Sequence, residues 1–182
     1  MKTEKNMMHG YDYAGQEVYG WSASEKLNGC RAFWDGREMW TRSGKVVRIP
    51  ETMRHLLPTE ALDGELHAGR GGFETARQAV QYGRFTPECR FSAFDVPDHP
   101  GPFHVRYNYL RSLLPASGPV NYLRHVAGIT LDEAVSLMLQ IQVQGGEGVR
   151  RRVRYRPQHG ACFLEIPLVH ISGCQTPRRI QL

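Results

Sequence analysis

This sequence predicts a mixed α+β domain, and three observations carry that prediction. Asp35-Gly36 sits between two β-rich runs, Ala32-Phe33-Trp34 and Glu38-Met39-Trp40-Thr41, which is a hairpin signal. Thr130-Leu131-Asp132-Glu133 has the form of a helix start, with Thr130 as N-cap and Glu133 as its capping-box partner. Between these two points, short β-rich segments alternate with amphipathic ones bounded by glycine and proline.

The elements follow in order. Residues 1–19 read as an irregular lead-in containing Tyr11 and Tyr13, and Gly20 to Arg48 as strand-like. A second turn at Ser43-Gly44 leads into Val46-Val47-Arg48-Ile49. After Pro50, Glu51 to Leu57 fits one or two helical turns, and Ala61 to Leu66 reads as a strand. Gly71-Gly72 breaks the chain before a helix over Phe73 to Val80, with Ala76, Ala79 and Val80 on one side. Arg90 to Val96 is a strand ended by Pro97, and Phe103 to Leu114 an amphipathic helix stopped by Pro115. From Thr130 the apolar residues Ala134, Leu137, Met138 and Ile141 recur at helical spacing until Gly145-Gly146. Val149 to Tyr155 and Cys162 to Val169 read as strands around Pro157-Gln158-His159-Gly160. One domain over 20–170 and a short basic tail over 171–182 complete the division.

The 182 residues suffice for one domain with a core, and the ordinary hydrophobic and charged fractions exclude disordered and fibrous classes. No apolar run approaches the roughly 18 residues that span a bilayer, and the polar start lacks a secretory core. A cytoplasmic protein with no membrane partner is therefore expected. Cys30, Cys89, Cys162 and Cys174 contain no C-x-x-C pair and read as free thiols of a reducing compartment. His159 with Cys162 and His170 with Cys174 have metal-ligand spacing, but the link between the pairs is too short for a zinc finger. The net charge of +5 comes from clustered arginines: Arg150, Arg151, Arg152, Arg154 and Arg156, then Arg178 and Arg179. Such clustering points to an anionic partner, nucleic acid first.

The chemistry-bearing stretch is Glu25-Lys26-Leu27-Asn28-Gly29-Cys30-Arg31. It places an amine nucleophile before an Asn-Gly turn, with a guanidinium five residues on. Alone, Lys26 reads as a surface lysine before a β-turn. Three later stretches change that: Leu62-Asp63-Gly64-Glu65-Leu66, Phe91-Ser92-Ala93-Phe94-Asp95 and Gly146-Glu147-Gly148-Val149. Taken by themselves, Arg31 is equally a strand-surface arginine, Arg42 a turn arginine and Phe94 core filler. A carboxylate such as Glu65, in a buried strand, needs a ligand, an ion or an arginine as partner.

In this order and at these separations the motifs resemble the adenylation domain of ATP-dependent polynucleotide ligases, most closely the minimal bacterial DNA ligases. Ser24-Glu25-Lys26-Leu27, Trp34-Asp35-Gly36, Thr41-Arg42-Ser43-Gly44 and Gly69-Arg70-Gly71 add to the likeness, which runs from about Gly20 to Arg152. The resemblance implies a ligase-type nucleotidyltransferase fold of packed antiparallel sheets with flanking helices. It implies that Lys26 attacks the α-phosphate of ATP, releasing pyrophosphate and leaving a lysyl-AMP. For that the amine must be neutral, so its pKa must fall well below the roughly 10.4 of free lysine. It further implies Glu25, Arg31, Glu65 and Phe94 at the nucleotide, with Phe94 stacked on the base. Glu65 and Glu147 would hold Mg²⁺ or Mn²⁺. Arg42, Arg150, Arg151, Arg152 and Arg154 would meet nicked double-stranded DNA. Asn28 stands where the family more often has Asp.

Two departures qualify the likeness. The family's last motif, Leu-Lys-x-Lys, aligns with Phe163-Leu164-Glu165-Ile166-Pro167, which puts Glu165 and Pro167 at the lysine positions. A carboxylate beside a phosphate inverts the local electrostatics, so lysine charging is expected to suffer. After residue 170 too little chain remains for the OB domain that normally closes over the nucleotide, so a separate protein supplying that function is the expected partner. Two alternatives stay open: a degenerate ligase domain that binds nucleotide or nucleic acid without catalysis, and an RNA ligase or capping-type nucleotidyltransferase.

Overall fold

The computed structural model describes residues 9–12, 21–152 and 162–166. The strands are β1 (His9–Asp12), β2 (Ser22–Glu25), β3 (Gly29–Trp34), β4 (Met39–Thr41), β5 (Val46–Val47) and β6 (Leu62–His67), followed by β7 (Arg90–Asp95), β8 (Val120–Tyr122), β9 (Val126–Ala127), β10 (Val149–Arg152) and β11 (Cys162–Ile166). The helices are α1 (Glu51–Arg54), α2 (Phe73–Tyr82), α3 (Phe103–Leu113) and α4 (Leu131–Val143). Two sheets result, a five-stranded one in the order β1-β11-β10-β2-β9 and a six-stranded one in the order β5-β4-β3-β6-β7-β8. No helix among the described residues is long and apolar enough to cross a membrane.

Both sheets are mixed rather than purely antiparallel. β1 pairs parallel with β11, and β7 parallel with β8. The second case follows from the connection: α3 lies between β7 and β8, and such a crossover returns the chain to run in the same direction. His9–Asp12 falls in the stretch whose sequence reads as irregular; it takes its pairing from a strand near the other end of the chain. The parts of the predicted strands over 153–155 and 167–169 lie outside the described residues.

Alternation along the six-stranded sheet divides two chemistries. Ala32 and Trp34 of β3, Leu62 and Leu66 of β6, and Phe91 and Ala93 of β7 build the main core with Met39, Val47, Leu110 and Val120. The opposite face carries Arg31 and Phe33, then Asp63, Glu65 and His67, then Ser92 and Phe94, by the same period of two. That second face is polar and nevertheless buried: Asp63, Glu65, His67 and Ser92 are each less than a tenth exposed. Gly64 makes the core side possible, because a Cβ there would lie 2.6 Å from the Phe91 ring.

In the five-stranded sheet, α4 covers one face. Ala134, Met138 and Ile141 pack with Ala23 of β2 and Val149 of β10. Ser22 and Ser24 alternate away from that helix. At the end of β7, Arg106 of α3 grips Asp95 through two hydrogen bonds, Nε to Oδ1 at 2.7 Å and Nη2 to Oδ2 at 2.9 Å, and donates a third to the Gly101 carbonyl. Both partners are buried, so their charges are compensated by the fork geometry rather than by water.

Candidate active site

Lys26 occupies the crossing from one sheet to the other. β2 ends at Glu25 in the five-stranded sheet, and after three intervening residues β3 begins in the six-stranded one. Gly29, the first residue of β3, is required by close approach: a Cβ there would come 2.3 Å from the Leu66 carbonyl oxygen. The Lys26 N–H donates to the Gly148 carbonyl at 2.8 Å, which anchors the crossing against the start of β10. The same pairing brings Glu147 into reach, with its Oε2 3.5 Å from Lys26 Nζ and both side chains about one-third exposed. A cavity of about 220 Å³ opens beside them, lined among others by Glu25, Asn28, His67, Arg70 and Glu147.

Glu25 points into this cavity and not toward the buried polar face. Its carboxylate receives Arg70 Nε at 2.8 Å and Nη2 at 3.0 Å. Ser24, one residue back, is 2% exposed, and its hydroxyl finds no hydrogen-bond partner among the described residues.

Arg31, Asp63 and Phe94 form a second group. Arg31 donates from Nε to Asp63 Oδ1 at 2.7 Å and from Nη2 to Oδ2 at 2.6 Å. Its guanidinium also lies 4.4 Å from the centre of the Phe94 ring, a cation–π contact. Burial works against the Arg31 charge, but Asp63 outweighs it by charge and hydrogen bond, so the guanidinium pKa rises. Phe94 is 1% exposed and packs with Phe103. Glu65 lies in the same buried face and raises the Cys30 thiol pKa, after burial as the larger cause.

Arg42 sits exposed in the turn after β4, whose Thr41 and Gly44 shape the chain there. Arg150, Arg151 and Arg152 belong to β10, paired with Ser24, Ala23 and Ser22 of β2. Arg154 lies outside the described residues. Glu165 pairs in register with Arg150 and, on the other side, with Asp12. Among the described residues no three His, Cys, Asp or Glu side chains cluster as metal ligands.

Sequence reasoning gave no role to Asp63, His67 or Arg70. His67 Nδ1 accepts from the Gly69 N–H at 3.2 Å, so its Nε2 carries the proton and donates to Ser92 Oγ at 2.9 Å. Ser92 donates in turn to Asn121 Oδ1 at 2.9 Å, and Asn121 to the Gly118 carbonyl at 2.9 Å. Burial lowers the His67 pKa, Arg90 lowers it further, and Glu25 opposes both. The period of two in Leu62–His67 is the signal that ties His67 to Glu65 and Asp63.

No protein-family profile matches the chain. Over 152 residues it is 30% identical to a DNA ligase of Haemophilus influenzae, which covers 81% of this chain and 56% of that one. The chain thus spans a little over half the length of that relative. Among solved structures, one from a study of Lig E DNA ligases superposes with a TM-score of 0.77 at 26% identity, over 89% of this chain and 68% of that chain. The Chlorella virus DNA ligase-adenylate superposes with a TM-score of 0.69 at 19% identity, over 89% and 68%. The ATP-dependent DNA ligase of bacteriophage T7, solved with ATP, gives 0.65 at 13% identity, over 91% and 70%; these last two speak for the fold alone. In both sequence and fold this chain is similar to the adenylation (nucleotidyltransferase) domains of ATP-dependent DNA ligases.

Proposed function

We propose that this chain is a ligase-type adenylyltransferase: it charges Lys26 with AMP from ATP and acts on nicked DNA. The observation that carries the reading is Lys26 at the crossing between the sheets with the Glu147 carboxylate 3.5 Å away. In this reaction the Lys26 amine loses a proton, its nitrogen bonds to the α-phosphorus, and the bond from that phosphorus to the pyrophosphate oxygen breaks. Glu147 is a carboxylate placed to receive the proton. Phosphoryl and nucleotidyl transfer depend mainly on such positioning and on charge stabilisation.

The residues present suit a nucleotide. The buried Ser24 hydroxyl, without a hydrogen-bond partner among the described residues, is a polar group that a bound ligand would satisfy. Released from Asp63 and Phe94, Arg31 would offer a fork to ribose or phosphate oxygens and free a ring face for the base. Glu65 and Glu147 supply two carboxylates, the number Mg²⁺ commonly takes from protein when phosphates and water complete its shell. Mg²⁺ or Mn²⁺, when bound, supplies charge neutralisation on the phosphates. Arg42 and the arginines of β10 supply phosphate contacts for DNA.

One observation favours a second reading, a binding domain without catalysis: β11 carries Glu165 where the family's lysine is expected. The two readings part in one assay. With Mg²⁺ and ATP labelled at the α-phosphate, the wild type should acquire a covalent label and Lys26→Ala none. A folded wild type that stays unlabelled would overturn the enzymatic reading.

A further inference from the structure

Arg70 spans the cavity beside Lys26 and holds two chain segments at once. Its Nε and Nη2 engage both oxygens of Glu25, while Nη1 donates to the side-chain Oε1 of Gln144 at 2.7 Å and reaches the Gln144 carbonyl at 3.4 Å. Glu25 is the covalent neighbour of Lys26. Gln144 is the C-cap of α4 and leads through Gly145-Gly146 to Glu147. The loop that carries Arg70 leaves β6, the strand of Glu65. One guanidinium therefore joins the segments whose side chains meet in the Lys26–Glu147 contact to the strand of the buried carboxylate.

Stability does not account for this arrangement. The ion pair is partly exposed, with side chains 35% and 25% accessible, and pairs of that kind contribute little to folding. The backbone, in contrast, is shaped for it. Gly146 lies so close that a Cβ would come 3.0 Å from Glu25 Oε1 and 2.3 Å from Ile141 Cγ2, so the glycine leaves the carboxylate its place beside Arg70. The geometry also demands arginine. A single ammonium could satisfy one carboxylate oxygen but could not supply two parallel donors to Glu25 and a third to Gln144.

Resting on the adenylyltransferase reading above, we infer that Arg70 is a positioning residue for lysine charging. It sets Lys26 against Glu147 through Glu25 and Gln144, and it makes no contact of its own with the nucleotide. Small displacements of reacting groups cost rate steeply, on the order of a hundredfold for an ångström. Its loss should therefore appear in the rate of charging and not in nucleotide affinity.

The test is single-turnover transfer of α-labelled AMP to the full chain, measured against ATP concentration. Arg70→Gln should slow label formation at saturating ATP by roughly 10- to 100-fold, with the half-saturating ATP concentration moved less than about twofold. Glu25→Gln should slow label formation to a similar extent, and the double variant should be no slower than the slower single one, because both break one clasp. Arg70→Lys should recover little of the rate, although it restores the charge. Thermal midpoints of all four should stay close to that of the wild type, which separates positioning from folding. Wild-type charging in Arg70→Gln, losses that multiply in the double variant, or a defect confined to half-saturation would each overturn the proposal. An unlabelled wild type is a different result: it removes the adenylyltransferase reading itself, and this proposal with it.

Discussion

At His67 a single ring is fixed by a backbone donor on one nitrogen and a buried hydroxyl on the other; Nδ1 can accept from the Gly69 N–H only while the ring is neutral. Burial and Arg90 hold its pKa below the ordinary 6.5 in the native state. The unfolded chain, with the ordinary value, then binds more protons than the native one as pH falls below 6.5. The contribution of neutral His67 is thus complete above that pH and is lost as pH falls toward the depressed native value. Urea unfolding followed from about pH 7.5 to about pH 5.5 should show the midpoint falling, and His67→Gln should flatten that fall while keeping a donor for Ser92. Arg31 shows the same economy of partners at the residue scale. Its fork is taken by Asp63 and its face by Phe94, so the ring expected to stack on a base carries a guanidinium instead. The sequence identifies Arg31 and Phe94 as site candidates, but their mutual contact depends on β3 and β7 flanking β6, which no local pattern records.

Helix α4 is the element most fully legible in the sequence. Thr130 Oγ1 accepts from the Glu133 N–H at 3.2 Å, and Glu133 Oε2 accepts from the Thr130 N–H at 2.8 Å, which is the capping box its sequence predicts. Thr130→Ala should cost about 1 kcal/mol of unfolding free energy, read as a lower urea midpoint at unchanged slope. β3, β4, β6 and β7 were also legible, because Asp35-Gly36 marks their hairpin and Pro97 their end. β8 and β9 were not. They have three and two residues, too few for a period to emerge, and β8 exists because α3 delivers it beside β7. The Glu25–Arg70–Gln144 clasp escaped for a related reason: its members come from three elements far apart in sequence.

On the scale of the whole molecule, the two sheets differ in how the chain builds them. The six-stranded sheet is one continuous stretch, from β3 through β8. The five-stranded sheet takes β1 and β2 from before that stretch and β9, β10 and β11 from after it. Pairing β2 with β10 therefore closes a loop around the entire other sheet, and long loops close late because their entropy cost comes before their contacts. The Lys26–Glu147 contact depends on that closure, since Lys26 follows β2 and Glu147 precedes β10. Native-state hydrogen exchange should find the amides of β2 and β10 opening at lower free energy than those of β3 and β6. Equal opening energies for the two sets would contradict this order. A consequence follows for the life history of the molecule: the Lys26–Glu147 contact is its last feature to mature and its first to fade. A nascent or partly denatured chain can hold a finished six-stranded sheet while Lys26 still lacks Glu147, so on the reading proposed above the unfinished protein would not consume nucleotide.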